Sequence, residues 1–309
     1  MAGPAYVADV FCKPSVAKKE LALDVALANP GLQPAKGEVL CEAVTRDSKV
    51  AKAFAPLPFD LKAGEFTTLT PAEPWADAKL WWPDHPQMYR LRTTVKLDGK
   101  PIDVRETPFG FREWTIDGRD FKLNGIPWHG WADTHHHDTP EKWVEFYRQT
   151  NQTFMRFWGT SWMGMPPDQA LDFLDRNGVV VRRSGMLDGE AIGYMAIEND
   201  PDLKAKTGSE IKLDLMENWR DQLAAQIKGE RNHPSVMIWS IENEYLYINC
   251  INLYGGLMDK FEAETLKAAN AVRQVDPTRP CMTDGGGATK SNQMPVHGDH
   301  YTSGPFPEY

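Results

Sequence analysis

The period of the apolar residues changes once along this chain, near residue 110, and that change restricts the fold more than any other feature. Before it, apolar side chains recur every second residue in short runs. Leu21, Leu23, Val25 and Leu27 alternate with small or charged neighbours, the pattern of a strand with one buried and one wet face. Comparable runs cover 37–46, 65–72 and 89–99. Turn residues separate them: Asn29-Pro30-Gly31, Ala63-Gly64 and Asp98-Gly99. Short strands at this spacing predict an all-β sandwich over residues 1–110. Cys12 and Cys41 fall inside it, either bridged or as two buried free thiols.

After residue 110 strands and helices alternate. Thr139-Pro140 supplies an N-cap and a first helical residue, and Trp143, Phe146 and Tyr147 then share one face. The strand FMRFW (154–158) follows. A second helix, from Pro167 to Arg176, stops at Asn177-Gly178, before the apolar run 179–181. A third carries Met216, Trp219, Leu223 and Ile227 and leads into VMIWS (236–240). A fourth carries Leu257, Phe261, Leu266, Ala269 and Val272 and precedes a strand near Cys281. Continuously apolar strands between amphipathic helices predict a parallel sheet covered on both faces. No strand is followed by a phosphate-cradling glycine motif, which disfavours a nucleotide-binding sheet. Polar residues gather instead just past the strand ends: His129, Arg156, Arg182, Asn243 with Glu244, Asp284, and His300 with Tyr301. That is where a (β/α) barrel keeps its chemistry, so residues 111–309 are read as barrel.

Charge and hydropathy narrow the partners. With 34 basic against 43 acidic residues and a net charge of −9, the chain's charge argues against a nucleic-acid backbone as the main partner. No apolar run approaches the ~20 residues of a membrane span, and the first twenty residues lack a signal-peptide pattern. Four cysteines do not make a disulfide scaffold. Oligomeric state and compartment are not encoded in any feature of the sequence.

The segment Trp239-Ser240-Ile241-Glu242-Asn243-Glu244 carries the strongest chemical signal. Two acids ending a buried strand are costly unless they face a polar cavity. Strand alternation puts Glu242 and Glu244 on the same side, with Ser240 beneath. Glycoside cleavage needs such a carboxylic acid to protonate a leaving oxygen, and a second carboxylate across the sugar.

Three ordered segments, FGFREWTIDGRDFKLNGIPWHGW (109–131), FMRFWG (154–159) and RNHPSVMIWSIENE (231–244), resemble glycoside hydrolase family 2. Trp82-Pro83 and Pro86-Gln87-Met88-Tyr89 match the segment that closes that family's immunoglobulin-like sandwich. The resemblance implies a sandwich followed by a TIM-type (β/α)8 barrel and a retaining, exo-acting β-glycosidase without a cofactor, acting on a carbohydrate. It implies that Glu244 is the general acid/base and Asn243 a contact to the sugar. Arg156 is implied as support for the carboxylates, His129 and His135 as sugar contacts, and Tyr301, with His300, as a residue near the nucleophile. Glu242 departs from the family, where a small residue is common. Trp128, Trp131, Trp158 and Trp162 stand at the same mouth, and the cluster predicts one stacking platform without saying which ring supplies it; Trp158 is counted among the expected substrate contacts. His135-His136-His137 invites a metal, but adjacent side chains on an extended chain diverge and no zinc-binding helix accompanies them; no metal is expected.

Roughly 200 residues follow Phe111, fewer than the ~250 of a typical barrel, and six strands are countable. The family's nucleophile would lie on a seventh, so the expectation is a piece of a longer enzyme whose nucleophile follows Tyr309. The alternative is a carbohydrate-binding protein built on a degenerate barrel, and a third reading is a metal-dependent hydrolase using the histidine run.

Overall fold

A computed structural model of the chain describes residues 4–133, 135–185, 187, 214–246, 258–285, 291, 293–294, 296 and 298. They fall into two compact units. The first runs through His129 and adds Asp172–Gly178 and Arg231–Pro234. The second holds Gly130–Leu171, Val179–Glu230 and the chain from Ser235.

In the first unit nine strands form two antiparallel sheets: β1 (Tyr6–Ser15), β2 (Glu20–Ala28), β3 (Ala35–Val44), β4 (Val50–Ala53), β5 (Leu57–Leu61), β6 (Phe66–Leu69), β7 (Ala72–Pro74), β8 (Met88–Leu97) and β9 (Lys100–Gly110). One sheet is ordered β1-β2-β6, with β7 also on β2. The other is ordered β4-β3-β8-β9, with β5 also on β3. Leu21, Leu23, Val25 and Leu27 are all fully buried, as their two-residue period demands. They share one core with Val39, Cys41, Leu91 and Val95 of the facing sheet. Asp98 and Gly99, both at positive φ, close the β8–β9 hairpin with the twist that two-residue turns require. Cys12 and Cys41 are free thiols, and burial holds both in the protonated form, Cys41 up to about 12.

Three short strands, β10 (Trp114–Asp117), β11 (Asp120–Leu123) and β12 (Ile126–Trp128), follow. They pair in an antiparallel meander. The first barrel strand expected to end just before His129 is instead the last strand of this meander. The reason is local: Asn124 and Gly125 both take positive φ and make a tight hairpin, the geometry that Asn-Gly favours most.

The second unit alternates helix and strand: α1 (Pro140–Gln149), β13 (Met155–Phe157), α2 (Pro167–Asn177, whose last turns belong to the first unit), β14 (Val181–Ser184), α3 (Asp214–Glu230), β15 (Val236–Ser240), α4 (Met258–Val275) and β16 (Cys281–Met282). The strands lie side by side in chain order, all parallel, and Met282 bridges to Val296 in the same sense. Thr139 caps α1 by accepting the Lys142 N–H. Every residue of β15 is buried, as expected of a strand covered on both faces. Among the described residues the sheet does not close on itself. All four strands end toward one edge, and there the polar residues collect.

Candidate active site

Arg156, in the middle of β13, organises that edge. Its Nε donates to Ser184 Oγ at 3.0 Å and its Nη2 to Asn243 Oδ1 at 2.6 Å. The same Nη2 lies 3.3 Å from Asp284 Oδ2. A guanidinium inside an apolar strand needs a carboxylate partner, and the partner is Asp284, which follows β16. Arg182 Nη1 holds the other oxygen of Asp284 at 3.2 Å, while Ser240 Oγ sits 2.9 Å from Oδ2. Two guanidinium groups thus share one buried carboxylate. Burial lowers the pKa of Arg182 and Arg156 adds repulsion, with Asp284 opposing both. Alternation sends the next residue to the opposite face: Arg183 makes a two-pronged bond to Glu230 at 2.8 and 2.9 Å.

Past β15 the backbone stops behaving as a strand. The N–H groups of Ile241, Asn243 and Glu244 bond to the carbonyls of Met282, Leu187 and Asp284. Glu244 has φ +52°, a left-handed conformation that a non-glycine residue adopts at a cost of ~1 kcal/mol or more and that clusters at functional sites. The two acids therefore do not face the same way, contrary to the expectation from alternation. Glu242 is fully buried, whereas Glu244 keeps part of its surface open. Glu242 Oε1 accepts the Asp284 N–H at 2.6 Å and Oε2 the Tyr245 N–H at 2.8 Å. Burial pushes its carboxyl up to about 8; Asp284 adds to the rise, and the two N–H donors and Arg156 oppose it.

A cleft of about 750 Å³ opens beside this cluster, lined among others by His135, Trp143, Arg156, Trp162 and Arg182. His135 stacks on Trp143 with ring centroids 4.5 Å apart. Its Nδ1 is 3.2 Å from Gln152 Nε2, and its Nε2 is buried without a hydrogen-bond partner among the described residues. His137 packs on Phe146. His135 and His137 thus rest on the aromatic residues of α1. One group among the described residues has ligand atoms close enough to hold an ion, Asp172, Asp175 and His233 in the first unit. There His233 Nδ1 meets Asp175 Oδ2 at 2.6 Å.

Two family models account for the chain. Glycosyl hydrolases family 2 matches residues 5–112, and the family 2 TIM barrel domain matches residues 112–303. The chain belongs to glycosyl hydrolases family 2. Among its relatives, a β-galactosidase of Bacteroides ovatus is 27% identical over 81% of this chain and 30% of its own length. A β-glucuronidase of Bacteroides fragilis is 27% identical over 64% of this chain and 27% of its own length. The chain therefore spans under a third of these relatives. In fold it resembles a family 2 member from Bacteroides cellulosilyticus (TM-score 0.72, 19% identity, 94% of this chain and 36% of that one). It likewise resembles a family 2 β-galacturonidase from Eisenbergiella tayi bound to galacturonate (TM-score 0.67, 20% identity, 91% and 47%).

Within this family 2 chain the structure brings Arg156 and Asn243 into direct contact and sets Glu244 in the turn beside them. His135 lines the cleft. Trp158 is 38% exposed, and one face of its ring carries the Arg156 guanidinium, 4.5 Å from the centroid. His129 is exposed at the end of β12, in the first unit. His300 and Tyr301 lie outside the described residues. Arg182 and Asp284 stand at the strand ends that the sequence marks, but their pairing is a matter of long-range register. Ser184 gives no sequence signal beyond its place at the end of β14.

Proposed function

We propose that this chain carries the general acid/base of a retaining, exo-acting β-glycosidase. In this reading Glu244 delivers its proton to the glycosidic oxygen as the bond to the anomeric carbon breaks. A second carboxylate attacks that carbon from the opposite face and forms a glycosyl-enzyme. Glu244, now ionised, takes a proton from water, which displaces the enzyme carboxylate and releases the sugar. Asn243 meets a sugar hydroxyl, and Arg156, itself paired with Asp284, orients Asn243. The observation that carries this reading is the Asn243-Glu244 pair at the C-terminal end of a buried parallel strand, with Asn243 held by Arg156 at 2.6 Å. The relatives' names, β-galactosidase and β-glucuronidase, support a terminal β-linked hexose or hexuronate as substrate.

Leaving groups test it. In the enzyme carrying this chain, Glu244→Gln should slow methyl β-glycosides by about a thousandfold or more. It should spare the first step on dinitrophenyl β-glycosides, whose leaving group needs no proton; general acid assistance contributes roughly 10²–10⁴-fold. Equal losses on both would remove Glu244 from the acid/base role. Glycan binding with no turnover would instead support the carbohydrate-binding alternative.

A further inference from the structure

We infer that Glu242 is the positioning residue of this site, holding the Asn243-Glu244 turn in the pose that offers Glu244 to the substrate. The inference rests on the acid/base reading of Glu244. Glu242 is fully buried, so it reaches no substrate and acts only through its neighbours. Its two oxygens take two different backbone groups. Oε1 accepts the N–H of Asp284, just past β16, and Oε2 accepts the N–H of Tyr245, just past Glu244. One side chain thereby ties the turn after β15 to the turn after β16, on either side of Glu244.

Two further contacts make that tie decisive for Glu244. The Glu244 N–H bonds to the Asp284 carbonyl at 2.8 Å, so the peptide before Asp284 is held by Glu242 and the one after it by Glu244. Gly285, at φ +80°, completes the fit: an added Cβ would stand 2.3 Å from Glu244 Cγ and 2.8 Å from its N. The left-handed backbone at Glu244 is thus fixed from the Asp284-Gly285 side as well as through Tyr245. A carboxyl suits this place because each of its oxygens keeps a lone pair for an N–H even when one of them carries a proton. A glutamine would turn an NH2 toward one of the two N–H groups, and an aspartate is one methylene short of spanning them.

The experiment compares Glu242→Gln, Glu242→Asp, Glu244→Gln and the Glu242→Gln/Glu244→Gln double variant. It uses methyl and 2,4-dinitrophenyl β-glycosides of galactose and glucuronate in the enzyme carrying this chain. Rates are referred to the sites that give a dinitrophenolate burst, so that misfolded molecules drop out of the ratio. Each Glu242 variant should lose tenfold or more on the methyl glycoside and less than threefold on the dinitrophenyl glycoside. The double variant should be no more sensitive to leaving group than Glu244→Gln alone. Glu242→Asp carries the test if Glu242→Gln gives no burst. Equal losses on both substrates in the Glu242 variants, with Glu244→Gln still selective, would overturn the positioning role and leave the acid/base reading standing. Equal losses in Glu244→Gln would overturn the acid/base reading, and the positioning role with it.

Discussion

Burial sets the protonation of Glu242, and a pH dependence of stability follows from it. The folded carboxyl titrates near 8 against an ordinary value of 4.5, with desolvation as the largest cause. The folded state therefore keeps a proton between about pH 4.5 and 8 that the unfolded chain has released. Stability from this group is fully present below the unfolded value and is lost as pH rises through that window. The loss is at most roughly 1.4 kcal/mol per pH unit for one proton. Among the described residues the charges that bear on Glu242 are Asp284 and Arg156, with Asp284 itself paired to Arg156 and Arg182; the comparison with Glu242→Gln isolates the slope that belongs to Glu242. Urea midpoints at pH 5, 6, 7 and 8 should fall more steeply in the wild type than in Glu242→Gln. Parallel curves would mean that Glu242 is ionised in the fold.

The ends of four strands are stitched by one side chain, and the consequence is an element-scale prediction. Arg156 rises from β13 and reaches Ser184 at the end of β14, Asn243 beyond β15 and Asp284 beyond β16. A guanidinium does this because its donors are spread in a rigid fork; an ammonium is a single point. Arg156→Lys keeps the charge and should keep the Asp284 pair, but it releases Asn243 or Ser184. Misplacing a substrate contact by about an ångström costs on the order of 10²-fold, so kcat/KM should fall by about that factor. The unfolding free energy should drop by about 1–3 kcal/mol, the penalty of one buried polar group left unpaired. An Arg156→Lys enzyme within threefold of wild type would show that the fork is not needed.

These same elements show what a sequence can reveal. Leu21 to Leu27 announce a half-buried strand, Thr139-Pro140 a helix start, and the apolar run of β15 a covered parallel strand, because each signal lies within a few residues of its effect. The ring of polar strand ends, Arg156, Arg182, Asn243 and Asp284, is legible as a list for the same reason. Who pairs with whom is not, since Arg156 and Asn243 are 87 residues apart. Nor does alternation survive beyond Ser240: hydrogen bonds to Met282, Leu187 and Asp284 take over the backbone, and Glu244 turns left-handed away from Glu242. The Asn124-Gly125 pair was readable as a hairpin, and its local preference outweighs the continuity that would have made β12 the first strand of the barrel.

At the scale of the whole molecule, the sandwich unit is assembled from three separated stretches of chain, and its stability depends on all of them. Arg231 pairs with Asp9 at 2.5 Å and covers the Phe11 ring at 4.3 Å. The Asn232 side chain accepts the Cys12 N–H and donates to the Val10 carbonyl, at 2.9 and 2.8 Å, and so serves β1 as a strand partner would. Trp81 Nε1 donates to the Asp175 carbonyl, and Arg112 Nε to that of Pro234. Trp81 and Arg112 are both buried. Residues 1–129 alone would keep both sheets and nearly all of the apolar core. They would expose Trp81, leave Arg112 without those carbonyls and strip β1 of its side-chain partner. At roughly 0.5–1.5 kcal/mol net for each hydrogen bond and more where a charge is involved, the isolated segment should fold but lose several kcal/mol relative to the same unit in the chain. The segment lies between the ~4–8 °C per kcal/mol of a 60–100-residue domain and the ~2–4 °C of a 150–250-residue one, so its melting temperature should lie about 10 °C or more lower. Adding a peptide of residues 231–234 is too small a gain in contact to restore it, whereas Asn232→Ala in the whole chain should reproduce about 1–2 kcal/mol of the loss. Equal melting of the segment and of the sandwich within the chain would show that the segments after residue 129 are passengers on the unit rather than parts of it.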